Sequence, residues 1–322
     1  MPPEDAQPAP WVPPSAPVAP IAPPPPVPQD EQPKFAPQAP GAPPRQYAPP
    51  FVPNPPRQYV PKPRRPPEQP PVGVRWGLPD AAVVLGLFAV VVLLGYGYLL
   101  LRLPAKQGPF ELVFGVIAYG LLVAALVVIS RRRGLKSLRA DFGLWFRPVD
   151  LAIGLGIGIL VRILSVIEGL IVVAIAGKGP TRGNVDFGTD PLWIILNGFV
   201  IAALVAPVVE ELVFRGLVLR AVRWAVLRGR RSSPRAQPAS APIRNGAAVL
   251  AVAVSALLFA AAHLYESIGD PILLIVLGLF TVTAGVLHGL ITIATGRLGP
   301  AIIAHVVVNG SSALLVLLLP HH

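Results

Sequence analysis

The chain has 322 residues, with no cysteine, one methionine, 42 prolines and a formal charge of +11 at pH 7. A mean hydropathy of +0.62 with only 13% charged residues excludes an ordinary soluble globule and points to a polytopic membrane protein. The missing cysteines exclude disulfides, thiolate metal sites and cysteine nucleophiles. The basic charge is spread over loops between apolar stretches, as membrane topology requires and nucleic-acid binding does not.

Residues 1–76 hold 29 of the 42 prolines, and PPRQY occurs twice, at Pro43–Tyr47 and Pro55–Tyr59. Such a segment cannot build a core. It is expected to be disordered with local polyproline II character, a low-complexity spacer in preference to a docking site for a Pro-recognising partner domain. Glu4 and Asp5 at the start, with no apolar run behind them, argue against a signal peptide. The tail is therefore expected to stay cytoplasmic, in agreement with Lys62, Arg64, Arg65 and Arg75 before the first span.

Residues 77–320 read as a transmembrane helical domain. Seven apolar stretches reach the ~20 residues that a spanning helix needs, near 81–101, 110–130, 150–176, 191–217, 246–266, 271–294 and 299–319. The expected fold is an all-α bundle of about seven to eight transmembrane helices. Arg131–Arg139 carries five bases and Arg220–Arg244 seven arginines with no acid, whereas Lys178–Asp190 is balanced and Tyr265–Asp270 is net acidic. This bias predicts a cytoplasmic N-terminus in a multi-pass protein of the plasma membrane. In the third span, Arg162 and Glu168 lie six apart, so each needs a partner from another span, through ion pairing or snorkelling. Gly154, Gly156 and Gly158 in that span predict close helix packing.

The stretch around which the domain is organised is Ala206–Leu219, APVVEELVFRGLVL. Glu210, Glu211 and Arg215 sit inside an apolar run, where ionised groups are rare and usually pair or work. Glu211 and Arg215 have the i,i+4 spacing of an ion pair on one helix face. Glu210 is turned by about 100° from Glu211 and is left for another purpose.

Few other groups in the apolar region can move protons. His263 follows Phe259 by one turn, His288 lies in the sixth span, and His305 and Asn309 project from one face of the seventh. Glu210, His263 and His305, converging from separate spans, could act in two ways. They could hold a divalent metal such as zinc that activates water. Alternatively Glu210 could serve as a general base, with His305 and Asn309 donating to an oxyanion. No HExxH is present.

These three motifs, Glu210-Glu211-x-x-x-Arg215, Phe259-x-x-x-His263 and His305-x-x-x-Asn309, resemble in kind and order those of the CAAX-protease and bacteriocin-processing intramembrane proteases. That family is related to the type II CAAX prenyl endopeptidases. The resemblance covers roughly residues 191–312, a protease-like core, and leaves out the proline-rich tail. It implies that Glu210 and His263 activate the attacking water, that His305 and Asn309 stabilise the oxyanion, and that Glu211 and Arg215 brace the site, with Phe259 in support. His288 matches none of its motifs and is expected to be structural. The implied activity is an intramembrane endopeptidase acting on a membrane-associated protein or peptide, with or without a metal.

Two other classes compete. A transporter or proton-coupled carrier would use Arg162, Glu168, Glu210 and His263 as relay groups, although no inverted repeat is visible in the hydropathy. A scaffold or immunity protein would need no hydrolysis. The protease reading carries one difficulty of depth: antiparallel fourth and fifth spans put Glu210 and His263 at opposite ends. A helix from Pro191 to Leu227, ~55 Å long, places Glu210 near its middle, and Pro207 is expected to kink or restart it.

Overall fold

The computed structural model describes residues 71–100, 107–184, 190–231 and 241–318. The tail up to residue 70, with both PPRQY repeats, lies outside them. The protein is an all-α polytopic membrane protein. Among the described residues no strand occurs, and seven helices are long and apolar enough to cross a bilayer. They are α1 (Leu78–Leu100), α2 (Gln107–Arg133), α4 (Val149–Ala176), α5 (Pro191–Arg228), α6 (Ala241–His263), α7 (Pro271–Thr295) and α8 (Gly299–Leu318). A short α3 (Leu138–Phe142) lies between α2 and α4.

Local chemistry sets the ends. Asp270 caps α7 by accepting from the amides of Ile272 and Leu273, and Pro271 fills the first turn, where its missing N–H costs nothing. Gly177 and Gly296 close α4 and α7 in the left-handed region, at φ 70° and 74°. Between the caps, outward-facing leucines, isoleucines and valines such as Ile163, Leu170 and Ile175 form the apolar exterior that lipid requires.

The bundle packs α4 against α8 and α7, α6 against α7, and the first half of α5 against α8, while α1 and α2 cover other parts of α5. Gly154 and Gly158 bring α4 onto α8: a Cβ at either would meet Ile303 or Val307 and the carbonyls of Pro300 or Ala304. Gly156 faces open space and takes no part. The core centres on the second half of α5, where Trp224 lies 4.7 Å from Trp76 and Phe214 meets Phe259 edge-on at 5.2 Å.

Arg162 and Glu168 differ from expectation in the kind of partner. Arg162 donates from Nε and Nη2 to the hydroxyls of Ser311 and Ser312 and to the Val308 carbonyl, and Thr283 donates to Glu168. Both bonds cross between helices, but the partners are neutral. Hydroxyls can satisfy a charged donor without placing a second ion in hydrocarbon.

The depth difficulty is resolved by α5. It runs for 38 residues, and Glu210 is the twentieth. Pro207 does not break it. Instead the helix takes the wider i→i+5 winding over Ile194–Val205 and again over Leu212–Val218, with ordinary α geometry at Ala206–Glu211 between. The Ala206 amide bonds the Ile201 carbonyl. The next donor in that pattern would be residue 207, and proline has none, so the Ala202 carbonyl is left over. Asn309 Nδ2 on α8 donates to it at 2.8 Å. Wide helical turns of this kind concentrate at functional sites because they re-aim side chains.

Candidate active site

The α-helical segment Ala206–Glu211 delivers two adjacent carboxylates to different surroundings. Glu211 is fully buried. Its Oε1 lies 3.2 Å from Arg215 Nη1 and receives His288 Nδ1 at 3.1 Å and His305 Nδ1 at 3.0 Å. Arg215, also fully buried, stacks over the Phe259 ring at 4.3 Å. Phe259 in turn contacts both candidate histidines, with centroids 4.5 Å from His263 and 5.7 Å from His305.

Glu210 faces the other way. Tyr119 Oη on α2 donates to its Oε1 at 3.1 Å. Its Oε2 has no hydrogen-bond partner and lies 3.7 Å from His263 Nε2 and 3.9 Å from His305 Nε2. All four residues reach a cavity of about 490 Å³, which Asn309 and His288 also line. The structure therefore brings Glu210, His263, His305 and Asn309 to one cavity, which Phe259 also lines, with Glu211 and Arg215 packed behind them.

The hydrogen bonds fix which ring nitrogens are free. His263 Nδ1 sits 2.8 Å from the Phe259 carbonyl, which only accepts, so a proton is on Nδ1 and, while the ring is neutral, Nε2 offers a lone pair. His305 Nδ1 faces the Glu211 carboxylate, and the same logic applies while that ring is neutral. Oε2 of Glu210 thus looks at two lone pairs. Two carboxylates also face one guanidinium, which leaves one negative charge uncompensated unless a histidine takes a proton or a cation binds.

Two donor sets can be tested against a metal. Glu211 Oε1 with Nδ1 of His288 and His305 falls within 4.8 Å, but these atoms already share hydrogen bonds, and a cation there would stand beside the Arg215 guanidinium. That set does not fit. Glu210 Oε2 lies 3.7 and 3.9 Å from Nε2 of His263 and His305, but these three do not form a group of ligand atoms all within 4.8 Å of one another, so the two rings would have to draw together to close around an ion. Each histidine is oriented through its other nitrogen, by a carbonyl or a carboxylate, as metal-binding histidines commonly are.

Six further residues around the site were not in the motifs. Tyr119 is a lone tyrosine in the aliphatic second span, and its hydroxyl needs a partner when buried, which is the signal it offered. His288, expected to be structural, shares Glu211 with His305. At the mouth, Asn184 donates to Glu266 at 2.8 Å, and Thr181 donates through N and Oγ1 to Asp270, both at 2.7 Å. The loops after α4 and α6 therefore meet on one side of the bundle.

A family model described as "Rce1-like: Type II CAAX prenyl endopeptidase Rce1-like" matches residues 191–311. Over that segment, the chain is similar to the CAAX-type intramembrane proteases. The Rce1-like segment contains α5 to α8 as far as Ser311, and so every motif residue described above, whereas Tyr119 comes from α2. Comparison with curated proteins and with solved structures finds no match.

Proposed function

We propose that the protein is an intramembrane endopeptidase that hydrolyses a peptide bond in a membrane-associated protein or peptide. Glu210 acts as the general base. The observation that carries this reading is the unpartnered Glu210 Oε2, held toward Nε2 of His263 and His305 inside a cavity of the Rce1-like segment. A carboxylate at mid-helix in hydrocarbon, with one oxygen tied to Tyr119 and the other free, is placed to work.

Water on Oε2 loses a proton to Glu210 as its oxygen bonds to the substrate carbonyl carbon. The carbonyl oxygen takes up the negative charge and is met by donors. Asn309 has a second amide hydrogen beyond the one on Ala202, and His305 donates from Nε2 when it carries a proton on each nitrogen, a state that Glu211 compensates at Nδ1. Glu210 then returns the proton to the departing amine as the C–N bond breaks, leaving a carboxylate and an amine. His263 orients the water between itself and Glu210. If a divalent ion is resident, Glu210, His263 and His305 would hold it, and it would supply a more acidic bound water. The plasma membrane as location and a cytoplasmic N-terminus remain part of this proposal, with the loop charges as their support.

The test is cleavage of membrane-anchored peptides by the purified protein in detergent, with Glu210→Gln and chelator-treated samples alongside. Loss in Glu210→Gln with retention under chelator supports the base acting alone. Loss under chelator with recovery on zinc addition supports the metal-loaded form. Cleavage unchanged in Glu210→Gln rejects the mechanism. If no sample cleaves, flux through liposomes tests the carrier reading, in which Arg162 and Glu168 join Glu210 as relay groups.

A further inference from the structure

At the end of the bundle where α2 stops and α4 starts, the acids are spent inside the fold. Asp80 pairs with Arg133 at 3.1 Å, Asp141 accepts from Ser130, Trp76 and the Leu135 amide, and Asp150 holds Arg297. The bases are in excess. Arg131, Arg132, Lys136, Arg139 and Arg147 are exposed, and among the described residues none of their side chains donates a hydrogen bond or pairs with a carboxylate. Two of them are held in place. The Leu144 amide bonds the Leu138 carbonyl, which folds the chain after α3 back toward Arg139. As a result Arg139 and Arg147 lie over one indole, that of Trp145, at 5.6 and 4.8 Å. Their guanidinium carbons, measured through that shared centroid, stand no more than about 10 Å apart. Arg297 is third at this ring, at 5.3 Å, but Asp150 neutralises it. Two positive charges are left over.

Their depth indicates what they meet. The apolar span of α2 ends at Arg133 and that of α4 begins at Val149, so both arginines stand where hydrocarbon gives way to headgroups. Phe146, Val149 and Leu151 beside them are exposed and continue the lipid-facing surface of α4. The geometry points to a binding site for one anionic phospholipid at Arg139, Trp145 and Arg147. The two guanidiniums take the headgroup phosphate, and Phe146 and Val149 lie along the first acyl carbons. A zwitterionic headgroup would bring a cation of its own to a place that already holds two in excess, and a soluble phosphate would leave the apolar half of the site unused. The site adjoins the start of α4 and, through Arg297 and Asp150, the turn between α7 and α8, so an occupied site stabilises that junction. This inference goes beyond the peptidase reading and does not depend on it.

The test titrates the full chain, in a detergent with an uncharged headgroup, with phosphatidylglycerol or phosphatidylcholine. Bound lipid is counted by native mass spectrometry and the unfolding midpoint is followed in parallel. Phosphatidylglycerol should bind about 10-fold to 30-fold tighter than phosphatidylcholine and raise the midpoint. Arg139→Gln with Arg147→Gln should remove that preference, and Arg147→Lys alone should keep part of it. Arg131→Gln with Arg132→Gln takes the same charge from the same end and should leave most of the preference in place. A second readout needs no arginine variant. Phosphatidylglycerol brominated on its acyl chains should quench a component of tryptophan fluorescence that Trp145→Phe lacks, and brominated phosphatidylcholine should quench it less. Equal binding of the two lipids, or equal quenching by them, would overturn the inference. Equal losses in the two double variants would overturn it as well, because they would reduce the effect to the diffuse field of the basic surface. The same midpoint shift from glycerol phosphate in solution would make this a site for a free anion and would also reject the lipid.

Discussion

Two buried sets of charges in this molecule are built on opposite rules. At one end of the bundle, Asp150 accepts both oxygens' worth of hydrogen bonds from Arg297, with Nε at 2.9 Å from each, and a further bond from the Arg147 amide. Asp141 nearby accepts from Ser130 at 2.6 Å, from Trp76 Nε1 at 3.1 Å and from the Leu135 amide. No side-chain oxygen of either aspartate is left without a partner. In the mid-membrane cluster, by contrast, Glu210 Oε2, Glu211 Oε2 and His288 Nε2 are buried with none. Native structures satisfy nearly all their buried polar atoms, so an unsatisfied group needs a reason. The aspartates hold helices together. On the function proposed here, the cavity cluster keeps lone pairs open for a molecule that is not part of the chain.

The largest effect on folding should come from the satisfied set. Asp150→Ala strands Arg297 in a buried position and should cost about 3 kcal/mol or more, read as a fall in unfolding midpoint in detergent, with cleavage per folded molecule preserved. A stable Asp150→Ala protein would break the contrast. Tyr119→Phe should do the reverse. It removes one bond that aims Glu210, worth roughly 1–2 kcal/mol, so kcat/KM should fall about tenfold while the melting temperature hardly moves. A large loss of stability in that variant would make Tyr119 part of the scaffold instead.

The smallest effect concerns the mouth. Hydrogen bonds from the Leu273 amide, from the Thr181 hydroxyl and amide, and from the Ile272 amide hold the Asp270 carboxyl down at about 2. A carboxyl lowered on folding stabilises the native loop above its unfolded value of about 3.9, and that contribution is lost as pH falls toward 2. Hydrogen exchange at the Thr181 amide should therefore accelerate between pH 4 and 2. In Asp270→Asn, exchange should be faster at neutral pH and flat across that window.

How much of this was legible in the sequence follows from the physics of each signal. Seven apolar stretches in a chain poor in charge could only be helices, and the described structure contains all seven. The spacing of Glu211 and Arg215 gave their ion pair, because a partner four residues away on one helix needs no tertiary information. Tyr119 and His288 carry the opposite lesson. Their partners are 91 and 77 residues away in the chain, and no periodicity links a lone tyrosine in α2 to a glutamate in α5. The wide turns of α5 were also hidden. Pro207 announced an irregularity, but whether the helix kinks or widens depends on what covers the freed Ala202 carbonyl, and Asn309 arrives from a helix a hundred residues on. Arg162 and Glu168 were legible as groups needing partners but not as groups whose partners are neutral, since serines and threonines in apolar spans draw little attention.

The central claim is that Glu210 is kept unsatisfied for chemistry and contributes nothing to holding the bundle. The most direct test measures cleavage rate and unfolding midpoint together for Glu210→Gln. The account predicts a rate lowered by about 10²-fold to 10⁴-fold, with a midpoint equal to or above that of wild type. A variant that still cleaves at the wild-type rate, or one that loses its fold as Asp150→Ala should, would contradict it.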